Sequence, residues 1–276
     1  MACCCCMEQE QQERDYVLGT ADQEVARLGI QHRVWRRHAL DGWFDAGFTA
    51  GQTIVDVGCG PGYATADLAD IAGSRGRVIA IDRSRRFLNE IREAARDNVT
   101  VVEADLDDDP FPPMSADAAW ARWVFAFVRH PRELLRKVRG GLRSGARFVI
   151  HEYFHYATWR FAPRSEPFEH FVATVMKSWR DNGGEPDIAL DLPTWLLEAG
   201  FTITRLRPIV EVISPADFTW QWPASFIESG LDRLHDLGYV TADMAQRIRA
   251  DVATRAATPG TRMITPAVME IIATAS

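Results

Sequence analysis

The stretch Gly58-Cys59-Gly60-Pro61-Gly62 constrains this chain more than any other. It follows an apolar run, Thr53-Ile54-Val55-Asp56-Val57, and precedes Tyr63 to Ile71, where Ala66, Leu68, Ala69 and Ile71 recur at helical spacing. Glycines at that junction let the backbone turn sharply and approach a ligand, and the helix behind them offers unpaired amides. A second apolar run, Arg77-Val78-Ile79-Ala80-Ile81, ends in Asp82, 20 positions beyond Gly62. Strand, glycine turn, helix, strand and terminal acid in that register describe a βαβ nucleotide site whose acid meets ribose hydroxyls.

Two residues argue against a dinucleotide. The fingerprint G-x-G-x-x-G needs its third glycine where this chain has Tyr63. Asp56 also puts a carboxylate inside the first strand, where burial costs several kcal/mol unless a cation or hydrogen-bond donors compensate. S-adenosylmethionine offers a ribose, an α-amino group, a carboxylate and a sulfonium, and has no pyrophosphate, so it supplies a partner for each of these groups. The segment Val55-Asp56-Val57-Gly58-Cys59-Gly60-Pro61-Gly62 resembles the first motif of class I S-adenosylmethionine-dependent methyltransferases. The resemblance continues through Ile81-Asp82-Arg83-Ser84, Glu103-Ala104-Asp105-Leu106, Asp117 to Trp123 and Leu142 to Ile150. It is nearest to the small-molecule branch, such as the ubiquinone and menaquinone biosynthesis enzymes and their relatives in secondary metabolism. Ala146 departs from it, standing where a second glycine is frequent.

The expected cofactor residues are Asp56, Gly58, Cys59 (through its backbone), Gly60, Gly62 and Asp82, with Arg83 against the adenine. The resemblance adds Asp105 at the adenine amino group, Leu106 beside it, and Arg122 toward the methionyl carboxylate. Asp82 as a helix cap and Asp105 as part of a solvated acidic loop with Asp107 to Asp109 are the plainer readings.

Apolar runs near 53–57, 77–81, 99–103, 116–121 and 146–151 alternate with helical stretches near 63–72, 84–97 and 131–143. This predicts an α/β, Rossmann-like, doubly wound sheet with right-handed crossovers. A helix from Leu192 to Ala199 and strands near 201–206 and 268–273 follow, and the resemblance implies seven strands with an antiparallel last one. The expected organisation is a disordered leader over 1–15 and a methyltransferase domain over 16–276, with an N-terminal helical lid (16–50) and cap insertions (155–186 and 215–261). The lid brings Tyr16 and Gln31 to the cofactor and Trp35 to the substrate.

Nine tryptophans are more than a plain core needs. They either seal helices onto the sheet or build an apolar chamber at the carboxyl ends of the strands, where open α/β sheets place ligands. Trp123, Phe125, Tyr153, Tyr156 and Trp159 are the expected substrate wall. His151 and Glu152 leave the fifth strand beside it and are the candidate catalytic pair. Histidine suits proton transfer near neutral pH, although a satisfied core histidine and a salt-bridged glutamate are the commoner fates.

The charge balance of 31 basic to 38 acidic residues, −7 in all, repels a phosphate backbone, so nucleic acid is not an expected partner. No apolar run is long enough to span a bilayer, and the chain reads as cytoplasmic. Cys3 to Cys6 are adjacent and cannot staple a fold. Methyl transfer to a small hydrophobic or aromatic acceptor, without a metal, is the leading function, and a second copy of the chain is a candidate partner. A macromolecule methyltransferase, a cofactor-binding relative that transfers no methyl (a cyclase or noncatalytic partner) and an NAD-dependent oxidoreductase are the alternatives.

Overall fold

The computed structural model describes residues 22–276; Tyr16, Cys3 to Cys6 and the proposed leader lie outside them. Helix α1 (Asp22–Asp45) leads into strand β1 (Thr53–Val57), helix α2 (Tyr63–Ala72), β2 (Arg77–Asp82), α3 (Arg85–Glu93), β3 (Val99–Glu103), β4 (Ala116–Arg122), α4 (Pro131–Gly141) and β5 (Leu142–His155). These follow the apolar runs residue for residue at most ends. Some of the exceptions have local causes: Ser84 caps α3 by accepting from the Phe87 amide, and α4 stops at the pair Gly140-Gly141, which lets β5 begin at Leu142.

The rest of the chain forms β6 (Arg160–Ala162), α5 (Glu166–Asp181), α6 (Leu192–Glu198), β7 (Phe201–Ile209), β8 (Val212–Ile213), α7 (Gln221–Asp236), α8 (Ala242–Ala257), β9 (Arg262–Ile264) and β10 (Ala267–Ala275). Seven strands make one sheet in the order β3-β2-β1-β4-β5-β10-β7. The first five are parallel, and β10 enters antiparallel between β5 and β7. This is the Rossmann-like sheet with a reversed last strand expected from the sequence.

Helices cover both faces, which is why β1 and β2 are buried nearly throughout. On one face α1 and α2 seal against β4 and β5, with Trp43 edge-on to Trp120 at 5.1 Å. On the other, Phe125, Leu134, Leu135, Phe148 and Phe201 build the larger core. Above the carboxyl ends, α5, α7 and α8 pack on one another around a third, aromatic-rich core. A small antiparallel sheet, β6-β9-β8, ties them together and was not anticipated. Among the described residues no helix is long and apolar enough to cross a membrane.

Candidate cofactor and acceptor site

The carboxyl ends of β1, β2 and β4 open into a cavity of about 710 Å³ that α1 and the upper helices close over. At its floor Asp56 is buried and accepts from Thr65 Oγ1 at 2.6 Å. Burial lifts its carboxyl to about 7, although Thr65 and Arg122 draw it down. Asp82 joins the two turns: Oδ2 accepts from the Gly60 amide and Oδ1 from the Ser84 amide, both at 2.9 Å. Burial raises its carboxyl too, against the pull of those amides.

The glycines divide the work of the turn. Gly60 has φ +54, and a Cβ added there would meet nothing within 4 Å, so its backbone borders open cavity. Gly62, at φ +87, is backed by the Ile91 side chain and does not line the cavity; it shapes the turn instead of touching a ligand. Gly58 and Cys59 line the cavity, as do Gln31, Asp105, Leu106 and Arg83, whose Nη1 lies 3.5 Å from Asp105 Oδ2.

Arg122 leaves β4 into this cavity between Asp56 and the rings of Trp120 and Trp123. Burial lowers its guanidinium to about 10, so it stays cationic at neutral pH. Nη2 donates to His32 Nδ1 at 3.3 Å, which leaves the other ring nitrogen, Nε2, to donate to Asp67 Oδ2 at 3.1 Å. Asp67 also takes a bidentate pair of bonds from Arg36. Arg122 Nη1 is buried without a partner among the described residues. That orphaned donor, the two buried carboxylates and the open Gly60 backbone fit a nucleoside with amino and carboxylate groups.

The same cavity continues into an aromatic chamber. Trp123 has φ +53, rare for a bulky residue, and its ring is stacked between Trp222 (5.8 Å) and Tyr153 (5.5 Å). Tyr156, Trp159, Trp179 and Phe226 complete the wall.

Several expected residues stand elsewhere. His151 is fully buried behind the cavity, edge-on to Trp120 at 4.8 Å, with Nε2 3.1 Å from Glu270 Oε2. Arg207 completes this row across β5, β10 and β7 through two bonds to Glu270 of 2.9 and 2.8 Å. Burial drops His151 to about 4, leaving it neutral, while His151 and Arg207 outweigh burial to hold Glu270 at about 2. Glu152 faces away from the cavity, and its Oε1 accepts from the Val124 and Phe125 amides at 2.5 and 2.7 Å. Burial raises its carboxyl to about 8. These two residues are therefore structural, and Glu152 acts by holding the backbone next to Trp123. Phe125 packs inward on Phe148, and Trp35 lies behind Trp123 and Trp222 instead of on the cavity wall.

Sequence reasoning missed Glu24, Arg27, His32 and Tyr63 on the wall, and the substrate wall read from the sequence left out Trp179, Trp222 and Phe226, which lie within the two cap insertions. The one available signal was Tyr63 itself, which stands where the dinucleotide motif has glycine and here stacks on His32 at 6.0 Å.

Residues 55–150 match the family described as a methyltransferase domain. The chain carries a class I S-adenosylmethionine-dependent methyltransferase domain. S-adenosylmethionine is the cofactor that such a domain implies. The chain is 30% identical over 200 residues, 71% of its own length and 56% of the relative's, to an uncharacterized 37.1 kDa protein in transposon TN4556 of Streptomyces fradiae. It is 30% identical over 158 residues, 55% of its length and 60% of the relative's, to the ubiquinone/menaquinone biosynthesis C-methyltransferase UbiE of Photorhabdus laumondii. It thus spans little more than half the length of these curated relatives. The crystal structure of the 4+2 cyclase SpnF superposes with a TM-score of 0.55 at 20% identity, over 87% of this chain and 80% of that one, a likeness of fold.

Proposed function

We propose that this methyltransferase domain moves a methyl group from S-adenosylmethionine to a small, mainly apolar or aromatic acceptor. The observation that carries this reading is the single cavity in which buried carboxylates and Arg122 at one end run into stacked aromatic rings at the other. Its volume suits two small ligands held end to end. The likeness to a ubiquinone/menaquinone C-methyltransferase supports an aromatic acceptor, and the net charge of −7 speaks against nucleic acid.

When bound, the cofactor supplies a methyl group already activated by its sulfonium. The chain's part is to bind, align and dry the reactants. Asp56 receives the amino group, Asp82 the ribose hydroxyls, and Arg122 Nη1 the carboxylate, while Arg83 and Asp105 flank the base. Trp123, fixed between Tyr153 and Trp222, sets the wall against which the acceptor lies and keeps water out. Because His151 and Glu152 are engaged elsewhere, an acceptor with an acidic or electron-rich nucleophile is favoured over one that needs a base from β5.

That same commitment of His151 and Glu152 favours, as a second reading, a protein that holds the cofactor and shapes a reaction without transferring methyl. Incubating the full chain with methyl-labelled cofactor and cell extract separates the two. Label in a small product with stoichiometric S-adenosylhomocysteine supports transfer; cofactor bound and recovered intact while extract is consumed rejects it.

A further inference from the structure

One charged group in the aromatic chamber has no role in the cofactor site. Glu24 and Arg27, a turn apart on α1, are 5% and 6% exposed and both line the cavity. Arg27 Nε and Nη2 donate to the two oxygens of Glu24 at 2.7 and 2.6 Å, and Nη1 donates to Gln31 Oε1 at 3.1 Å. A guanidinium has five N–H donors, so two, one on each terminal nitrogen, are engaged by no described residue. The pair is set among rings: Arg27 lies 5.7 Å from the centre of Phe226, and its charge acts on the phenols of both Tyr153 and Tyr156.

An ion pair in such surroundings is expensive to desolvate and adds little to stability by itself. The polar groups around it are mostly donors. Burial pushes both phenols upward, so Tyr153 and Tyr156 keep their protons, and Trp123 Nε1 is buried without a partner among the described residues. Glu24 and the Gln31 amide oxygen are the acceptors beside Arg27, and both already accept from it.

We infer that the acceptor carries an anionic oxygen, a carboxylate or an ionised phenol, on an apolar ring system, and that Arg27 receives it on its unused terminal N–H pair. Glu24 then has two duties. It neutralises Arg27, and it fixes the guanidinium by Nε and Nη2 so that the remaining terminal donors are held in place for the ligand. An ammonium on the same ring would meet the charges of Arg27 and Arg122, with Glu24 already neutralised by Arg27.

This inference rests on the chamber being the acceptor site of the proposed function, and its test is separable from that reading. The full chain saturated with S-adenosylhomocysteine is titrated calorimetrically with ligands sharing one ring system: 2-naphthoate, the acidic phenol 1-nitro-2-naphthol, neutral 2-naphthalenemethanol and the ammonium of 2-naphthylmethylamine. At least one anion is expected to bind about tenfold tighter than the alcohol and the ammonium, and the tighter of the two anions identifies the oxygen. Arg27→Gln should abolish that preference while S-adenosylhomocysteine still binds, and Glu24→Gln, which frees Arg27, should enlarge it. The opposite signs of the two variants exclude a general loss of folding. Equal or tighter binding of the ammonium, no binding by either anion, or an undiminished preference in Arg27→Gln overturns the inference. Failure of S-adenosylhomocysteine to bind the unaltered chain sinks the proposed function instead, and leaves the anion preference readable in the same titrations.

Discussion

His151 and Glu270 meet across neighbouring antiparallel strands, Nε2 to Oε2 at 3.1 Å, with neither side chain reaching solvent. The contact turns a candidate base into part of the sheet's internal wiring. Glu270→Gln leaves the shape but strands Arg207, and should destabilise the chain by about 2–4 kcal/mol in urea denaturation at pH 7. The sign with pH follows from both depressed values. His151, at about 4 against an ordinary 6.5, withdraws stability as pH falls from 6.5 to 4, and Glu270, at about 2 against 4.5, withdraws more as pH falls from 4.5 to 2. Glu270→Gln should lack the lower limb. His151→Asn should lower stability yet leave turnover per folded molecule unchanged; a turnover loss at equal folded fraction would reinstate it as the base.

Glu152 has the reverse pH signature. Its carboxyl is raised from 4.5 to about 8, so its contribution is complete below pH 4.5 and is withdrawn as pH rises to 8. Glu152→Gln keeps an oxygen for the Val124 and Phe125 amides and cannot ionise. Its stability relative to the unaltered chain should therefore grow by on the order of 3 kcal/mol between pH 5 and pH 8. Glu152→Ala abandons both amides, should cost about 2–3 kcal/mol, and should weaken acceptor binding more than cofactor binding as Trp123 relaxes.

Gly60 and Gly62, which differ most in surroundings, should fail in different assays. Gly62→Ala drives a Cβ into Ile91 at a positive φ, and should cost about 2–4 kcal/mol of stability. Gly60→Ala meets only open cavity, so stability should fall by about 1 kcal/mol while cofactor affinity falls tenfold or more. Equal losses of affinity at equal folded fraction would remove Gly60 from the ligand surface.

Asp56 should announce the cofactor's amino group by losing a proton. With the free carboxyl at about 7, an arriving ammonium favours the ionised form. Binding should release a proton below pH 7, seen as buffer-dependent heat in calorimetry, and affinity should climb as pH rises to 7. Asp56→Asn should abolish the release. Asp82→Ala should weaken binding by about 1.5–3 kcal/mol, and an unchanged dissociation constant would remove it from the ribose.

The sheet was legible because its information is local. Each strand from β1 to β5 contains a compact apolar run, and the glycine turn with Asp56 and Asp82 lies within one βαβ unit. The strands β6, β8 and β9 are two or three residues long and carry no periodicity to detect. His151 was misassigned for a related reason. Alternation put it on the same side of β5 as Tyr153, but only Tyr153, two residues nearer the strand's carboxyl end, reaches the cavity. The partners that retain His151 come from far along the chain: Glu270 is 119 residues away, and Arg207 is a further strand across. Arg27 and His32 were invisible because nothing in α1 reveals which of its faces looks down on the ligand.

The position of β10 sets a timetable for assembly. Among the described residues β7 pairs with no other strand of the large sheet, so its backbone stays unmatched until β10 slips in between it and β5. β9, three residues upstream, is also the middle strand that β6 and β8 await. A nascent chain released before these two segments emerge would leave β5, β7, β6 and β8 with unpaired edges at once and hold an unroofed binding cleft. A chain truncated before Arg262 should therefore accumulate as insoluble protein, not as a weakened enzyme.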